Sequence, residues 1–171
     1  GMIIVNTVSP GSLGRLSENP FFTFDTSWGS HRGVIWQAGW KCFGEQNPLH
    51  KLVGVGPDCM ASFLYDEKNS SVVAAVQEQY GSVTLTNAHN EWLTILVDVG
   101  ILGCIGFVGM MLSAIIRFLK QKESIIAGAC GLCLLAYLSN NTFSFQQAMN
   151  TATIYVVLGI GECVYRKKTK V

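Results

Sequence analysis

From Leu93 to Leu119 the chain runs through predominantly apolar residues, and the one acid inside that run is Asp98. A bilayer core takes roughly 20 mainly apolar helical residues to cross, so this stretch predicts a membrane-spanning helix over 92–119. Two shorter runs, 124–143 and 148–165, predict two more. The composition agrees: 49% of residues are hydrophobic and 13% charged, against about a quarter charged in soluble domains. A net charge of +1 gives no basic footprint for nucleic acid.

Charge placement orients the spans. Arg117, Lys120 and Lys122 cluster at the end of the first run, and Arg166, Lys167, Lys168 and Lys170 follow the third, while Ser139–Asn150 carries no charge. Basic residues mark the cytoplasmic side, so residues 9–91 are expected to face outward as a loop domain punctuated by Ser9-Pro10-Gly11-Ser12 and Gly54-Val55-Gly56-Pro57. The fold expected is an all-α membrane protein, with three transmembrane helices preceded by a mostly helical extracytoplasmic loop domain. Residues 1–8 would be the end of a preceding membrane segment, so that the chain starts mid-protein with Gly1 added ahead of Met2, and 166–171 a cytoplasmic basic tail.

Six cysteines do not make a disulfide framework, because Cys104, Cys130, Cys133 and Cys163 fall in apolar runs. Cys130-x-x-Cys133 has the spacing of a metal pair but no second pair, so it reads as packing. Cys42 and Cys59 share the outward region, where a disulfide between them is open. Asp98 reads as an acid close enough to the interface to hydrate or pair there, although acids in spans often mark function. Glu162 reads as a partner of Arg166, and Gly100, Gly103, Gly106 and Gly109 as a small-residue face for a neighbouring helix.

Residues 28–46 predict an amphipathic helix capped by Ser27 or Ser30, with Ile35, Trp36, Trp40 and Phe43 at helical spacing. Arg32 precedes Trp36 by four, on the aromatic face, and calls for an anion. A salt bridge to Asp25, Glu45 or a loop acid, or a snorkelling head group, meets that need; so does a phosphate, whose oxygens match the guanidinium fork. Asn87 is expected to cap the first span, placing His89 in its first turn. There the helix dipole favours a neutral imidazole that can accept a proton, and the bland alternative is a structural hydrogen bond. No His-x-x-x-His pair exists, and the loop acids Asp58, Asp66 and Glu67 show no ligand pattern, so no metal or cofactor is expected.

Four pieces in order, Arg32-Gly-Val-Ile-Trp36, Leu52-Val-Gly54-Val-Gly56-Pro57, Ala88-His89-Asn90-Glu91-Trp92-Leu93 and Gly100-Ile-Leu-Gly103, resemble the O-antigen ligase and polymerase superfamily of bacterial membrane glycan transferases. The resemblance runs along most of the chain. It implies transfer of a glycan from a polyprenyl diphosphate carrier to a hydroxyl of a glycan or lipid acceptor, without a metal, at the outer face of the cytoplasmic membrane. Arg32 would bind the diphosphate and His89 would orient or deprotonate the acceptor, with Trp36, Asn90 and Arg15 contacting substrate. Family members carry about ten or more membrane helices and a Ser-Arg-Gly upstream. This sequence has neither, and Gly14-Arg15-Leu16 does not fit that setting, so it reads as the carboxyl-terminal part of such an enzyme, inactive alone. A non-catalytic membrane subunit or transporter fragment with a partner-binding outer loop is the alternative, which the Arg32 and His89 pair argues against.

Overall fold

The computed structural model describes residues 2–25, 28–66, 70–82, 84–144 and 148–169. Among them no strand forms. The order is α1 (Met2–Val8), two 3-10 turns (Gly14–Glu18 and Pro20–Phe22), α2 (Trp28–Glu45), α3 (Pro48–Val53), α4 (Met60–Leu64), α5 (Ser70–Tyr80), α6 (Glu91–Lys120), α7 (Ile125–Asn140) and α8 (Ala148–Thr169).

Helix α2 forms within a residue of its expected span. Ser27 lies outside the described residues, and Ser30 falls inside the helix rather than at its cap. Its buried stripe is Val34, Ile35, Ala38 and Cys42, whereas Trp40 is 58% exposed. The expected face of large aromatics therefore shifts, because small residues take the core side and let α2 approach its neighbours closely. Helix α3 follows from local chemistry: Asn47 caps it by accepting from His50 N at 2.8 Å, and Pro48 stands at its first position.

Two hydrophobic cores share α6. Its first turns give Leu93 and Val97 to a core with Val34, Ile35, Ala38 and Cys42 of α2, Met60 and Leu64 of α4, and Val76 of α5. Its last turns give Met111, Ala114, Ile115 and Phe118 to a core with Ala127 and Leu134 of α7 and Ile154 of α8. Between them the helix kinks at Gly100, which has φ 69°. In an unbroken helix the Val97 and Asp98 carbonyls would accept from the amides four residues on. At the kink, Val55 N donates to Val97 O at 3.1 Å, Gly56 N to Asp98 O at 2.9 Å, and Gln46 Nε2 to Val97 O at 3.0 Å.

That exchange needs two bare backbones face to face. A Cβ on Gly54, itself at φ 80°, would overlap the Asp98 carbonyl, and a Cβ on Gly100 would overlap the backbone of Leu52 and Gly54. Gly100 is thus a backbone contact with the 52–54 segment, not part of a helix-packing stripe. Gly103 lies against Val99 of its own helix, and nothing among the described residues stands within 4 Å of a Cβ on Gly106 or Gly109. In the second core, Gly131 admits Leu119 and Phe118, and Gly161 admits the fully buried Phe118 ring.

Helix α6 is the one described helix long and apolar enough to cross a membrane. Helix α7 has 16 residues, about 24 Å at ~1.5 Å per residue, short of a ~30 Å hydrocarbon core. Helix α8 opens with Asn150, Thr151 and Thr153. The expectation of three spans thus narrows to one clear one. The α7–α8 turn sits beside the start of α6: Glu91 N donates to Asn141 O and Ser144 O at 2.9 and 3.0 Å, and Trp92 Nε1 to Thr142 Oγ1 at 3.3 Å. At the far end Glu162 pairs first with Arg117, at 2.8 Å, and only at 3.8 Å with the expected Arg166. Arg117 also lies over the Tyr165 ring. Ile101, Leu102, Ile105, Ile116, Leu132 and Val156 are exposed on the outside of this bundle, an apolar surface suited to lipid.

Candidate functional site

The residues around His89 are fixed by short-range hydrogen bonds before anything distant acts on them. Asn90, not Asn87, caps α6: it sits in the extended region with its side chain accepting from Leu93 N at 3.1 Å. Asn87 Oδ1 instead accepts from His89 N at 3.0 Å, a local turn that competes with capping. His89 therefore precedes the helix, outside its first turn, and takes φ 46°, a left-handed conformation uncommon for a residue with a Cβ. Thr94 locks the turn from below, since its Oγ1 receives Ala88 N at 3.2 Å and donates to Asn90 O at 3.1 Å. Further upstream, Tyr65 Oη accepts from Leu85 N at 2.9 Å.

Docking of this loop on α2 brings Arg32 to it. The absent side chain of Gly39 makes room for Leu93 and Ala88, the latter fully buried. Arg32, two turns before Gly39, then lies within electrostatic reach of His89, and it does the same for Tyr80 at the end of α5. Burial, and secondly the Arg32 guanidinium, hold the His89 imidazole below its ordinary value. Burial raises the Tyr80 hydroxyl, with Arg32 pulling the other way.

Trp36 lies one turn beyond Arg32 and Trp28 one turn before it. Their rings stand 5.1 Å apart, with Phe24 and Phe143 against them. Trp36 Nε1 is buried without a hydrogen-bond partner among the described residues, a donor in need of an acceptor. These aromatics wall an apolar cleft of about 460 Å³ whose other side is Ile3, Ile4 and Val8 of α1. A second recess of about 200 Å³ lies between Trp36, Trp40, Asn90 and Trp92. Arg32, Trp36, His89 and Asn90 thus share one region between α2 and the start of α6. Arg15 does not join them; it is exposed on its 3-10 turn.

Cys42 and Cys59 are both free thiols, so no disulfide joins them, and burial pushes Cys42 up to about 11. Of the two expectations for Asp98, hydration or pairing, the structure shows pairing: 8% exposed, it accepts from Asp58 N at 3.2 Å and fastens the turn before α4. Among the described residues no group of His, Cys, Asp and Glu is arranged to hold a metal ion. Tyr80 and Phe143 were not marked in the sequence. Tyr80 stands just before Gly81, which has φ 64°, a helix-end signal that shows where α5 stops but not what its last residue faces.

No curated protein and no solved structure matches this chain. A family model described as O-antigen ligase matches residues 2–108, more than half of the 171 residues. The matched span contains both backbone-contact glycines, the α2 aromatics, Arg32 and His89, the parts that build the site. The chain belongs to the O-antigen ligase family of membrane glycan-transfer proteins.

Proposed function

We propose that this protein moves a glycan from a polyprenyl diphosphate carrier to an acceptor hydroxyl, as a ligase or surface-polysaccharide polymerase, without a metal ion. The observation that supports it is that Arg32 of α2 lies within electrostatic reach of His89 before α6, one a cation and the other a histidine held towards its neutral form, first by burial and then by that cation. The guanidinium fork holds the diphosphate and offsets the charge that gathers on it. The Trp36 indole N–H offers a further donor to its oxygens. Neutral His89 takes the proton of the acceptor hydroxyl as that oxygen attacks the anomeric carbon. The bond from that carbon to the diphosphate oxygen breaks, and the carrier leaves with its electron pair. Asn90 acts through the helix cap, setting where His89 stands.

The basic end carrying Arg117, Lys120 and Arg166 faces the cytoplasm in this reading, and the His89 end faces outward across a bacterial cytoplasmic membrane. The test is transfer from a polyprenyl diphosphate glycan to acceptor by the intact membrane protein with EDTA present. His89→Ala is expected to lose roughly a hundredfold or more. Arg32→Lys is expected to lose most turnover, because an ammonium lacks the fork. Full turnover by both variants would overturn the proposal, and loss of wild-type transfer in EDTA would overturn its metal-free form.

A further inference from the structure

On the face of α6 opposite Leu93 and Val97 lies a recess of about 270 Å³, with Glu91, Thr94, Asp98 and Phe107 on one wall and Pro57 and Asp58 on the other. Its charge is one-sided. Three carboxylates and no basic side chain line it, and two of the acids are deep, Glu91 at 4% and Asp98 at 8% exposure. Holding the turn before α4 explains part of Asp98: Oδ2 accepts from Asp58 N, and the amides of Met60 and Cys59 also direct backbone hydrogen bonds at the carboxylate. Oδ1 is buried and has no hydrogen-bond partner among the described residues. A buried acceptor left unmade is costly, and its need is a donor.

The three acids do not converge as metal ligands would. What fits is a small, uncharged or cationic group with several donors and an apolar face that can lie on Phe107. Ligand pockets of roughly 300–1,000 Å³ hold drug-sized molecules, so this recess holds about one ring. We propose that it is a saccharide subsite, in which a hydroxyl or amino group of one glycan residue donates to Asp98 Oδ1 while Phe107 packs on the sugar ring. The inference rests on the glycan-transfer reading. Glu91 stands two residues beyond His89, so a sugar seated here lies close to the reacting end of the glycan.

Two measurements test it on the intact membrane protein in detergent: saturation-transfer NMR with glucose and glucosamine as probes, and the KM for acceptor glycan. In Asp98→Asn the side-chain carbonyl keeps the bond from Asp58 N and the amide replaces Oδ1, turning the acceptor into a donor. The expected result is loss of the NMR contact and a KM raised at least about tenfold, the size of a lost hydrogen bond to a charged group, with kcat little changed. Asp58→Asn tests the charge without disturbing the turn, since Asn tolerates the φ of 58° found there. It should weaken glucosamine several-fold at an unchanged thermal midpoint. No NMR contact in the wild type, or contacts and KM unchanged in both variants, overturns the subsite. Sugar contacts that survive in a wild type unable to transfer glycan strike the proposed function instead.

Discussion

Replacing Gly54 by alanine tests the joint that holds the outer domain on α6. At φ 80° a residue with a Cβ takes on roughly 1–2 kcal/mol of left-handed strain. Its Cβ would overlap the Asp98 carbonyl, so the 54–56 strand of chain must move off the kink. That removes the bonds from Val55 N and Gly56 N and strains the one from Gln46 Nε2, each about 1 kcal/mol. The sum is about 3–5 kcal/mol, a large share of a typical 5–15 kcal/mol stability. Thermal unfolding in detergent, followed by circular dichroism, should show the midpoint fall by roughly 10 °C, with faster proteolysis of residues 46–60. Gly106→Ala is the control, since nothing described lies within 4 Å of its Cβ. It should be neutral or stabilise by up to ~1 kcal/mol. A Gly54→Ala midpoint within two or three degrees of the wild type, by the scaling of roughly 2–4 °C per kcal/mol, would refute the reasoning.

His89 lies below the ordinary 6.5 of a histidine because of burial and then Arg32, so transfer should hold its rate as pH falls through 6.5 and drop only below it. Arg32→Gln should move that acid limb upward in the residual activity. The same shift leaves the folded chain binding fewer protons than the unfolded one, so stability should rise with pH through that window, and a flat midpoint would refute it. An impermeant thiol reagent on intact cells should label Ser70→Cys but not Gln121→Cys in a background of unreactive cysteines, and the reverse pattern would defeat the outward placement of His89. Buried Cys42, at about 11, should stay unlabelled at neutral pH until the protein unfolds; labelling of the folded protein would contradict its burial.

What could be read in the sequence was what repeats locally. The spacing of apolar residues located α2 and α6 almost to their ends, and the basic residues at 117–122 and 166–167 did fall together at one end of the bundle, with the uncharged α7–α8 turn at the other. What could not be read depended on a partner far along the chain. Asn87 and Asn90 are equivalent as capping residues until Asn87 is seen holding His89 N. Gly100 looks like Gly106 in a row of evenly spaced glycines, and only the approach of Gly54 distinguishes them. Arg32 and His89 were each visible as chemistry, but that Arg32 lies within electrostatic reach of His89 depends on the loop docking at Gly39. Tyr80 and Phe143 carried no mark at all, since each acts through a residue more than forty positions away or on another helix.

The chain has four tryptophans, and all four surround this one region: Trp28 against Trp36, and Trp36, Trp40 and Trp92 about the recess beside Asn90. Ultraviolet emission from the unlabelled protein therefore originates there, with no distant indole to dilute it. In the function proposed above, arrival of a diphosphate at Arg32 would change the polarity around Trp28 and Trp36 directly, so occupancy could be followed by colour and quenching in real time without a dye.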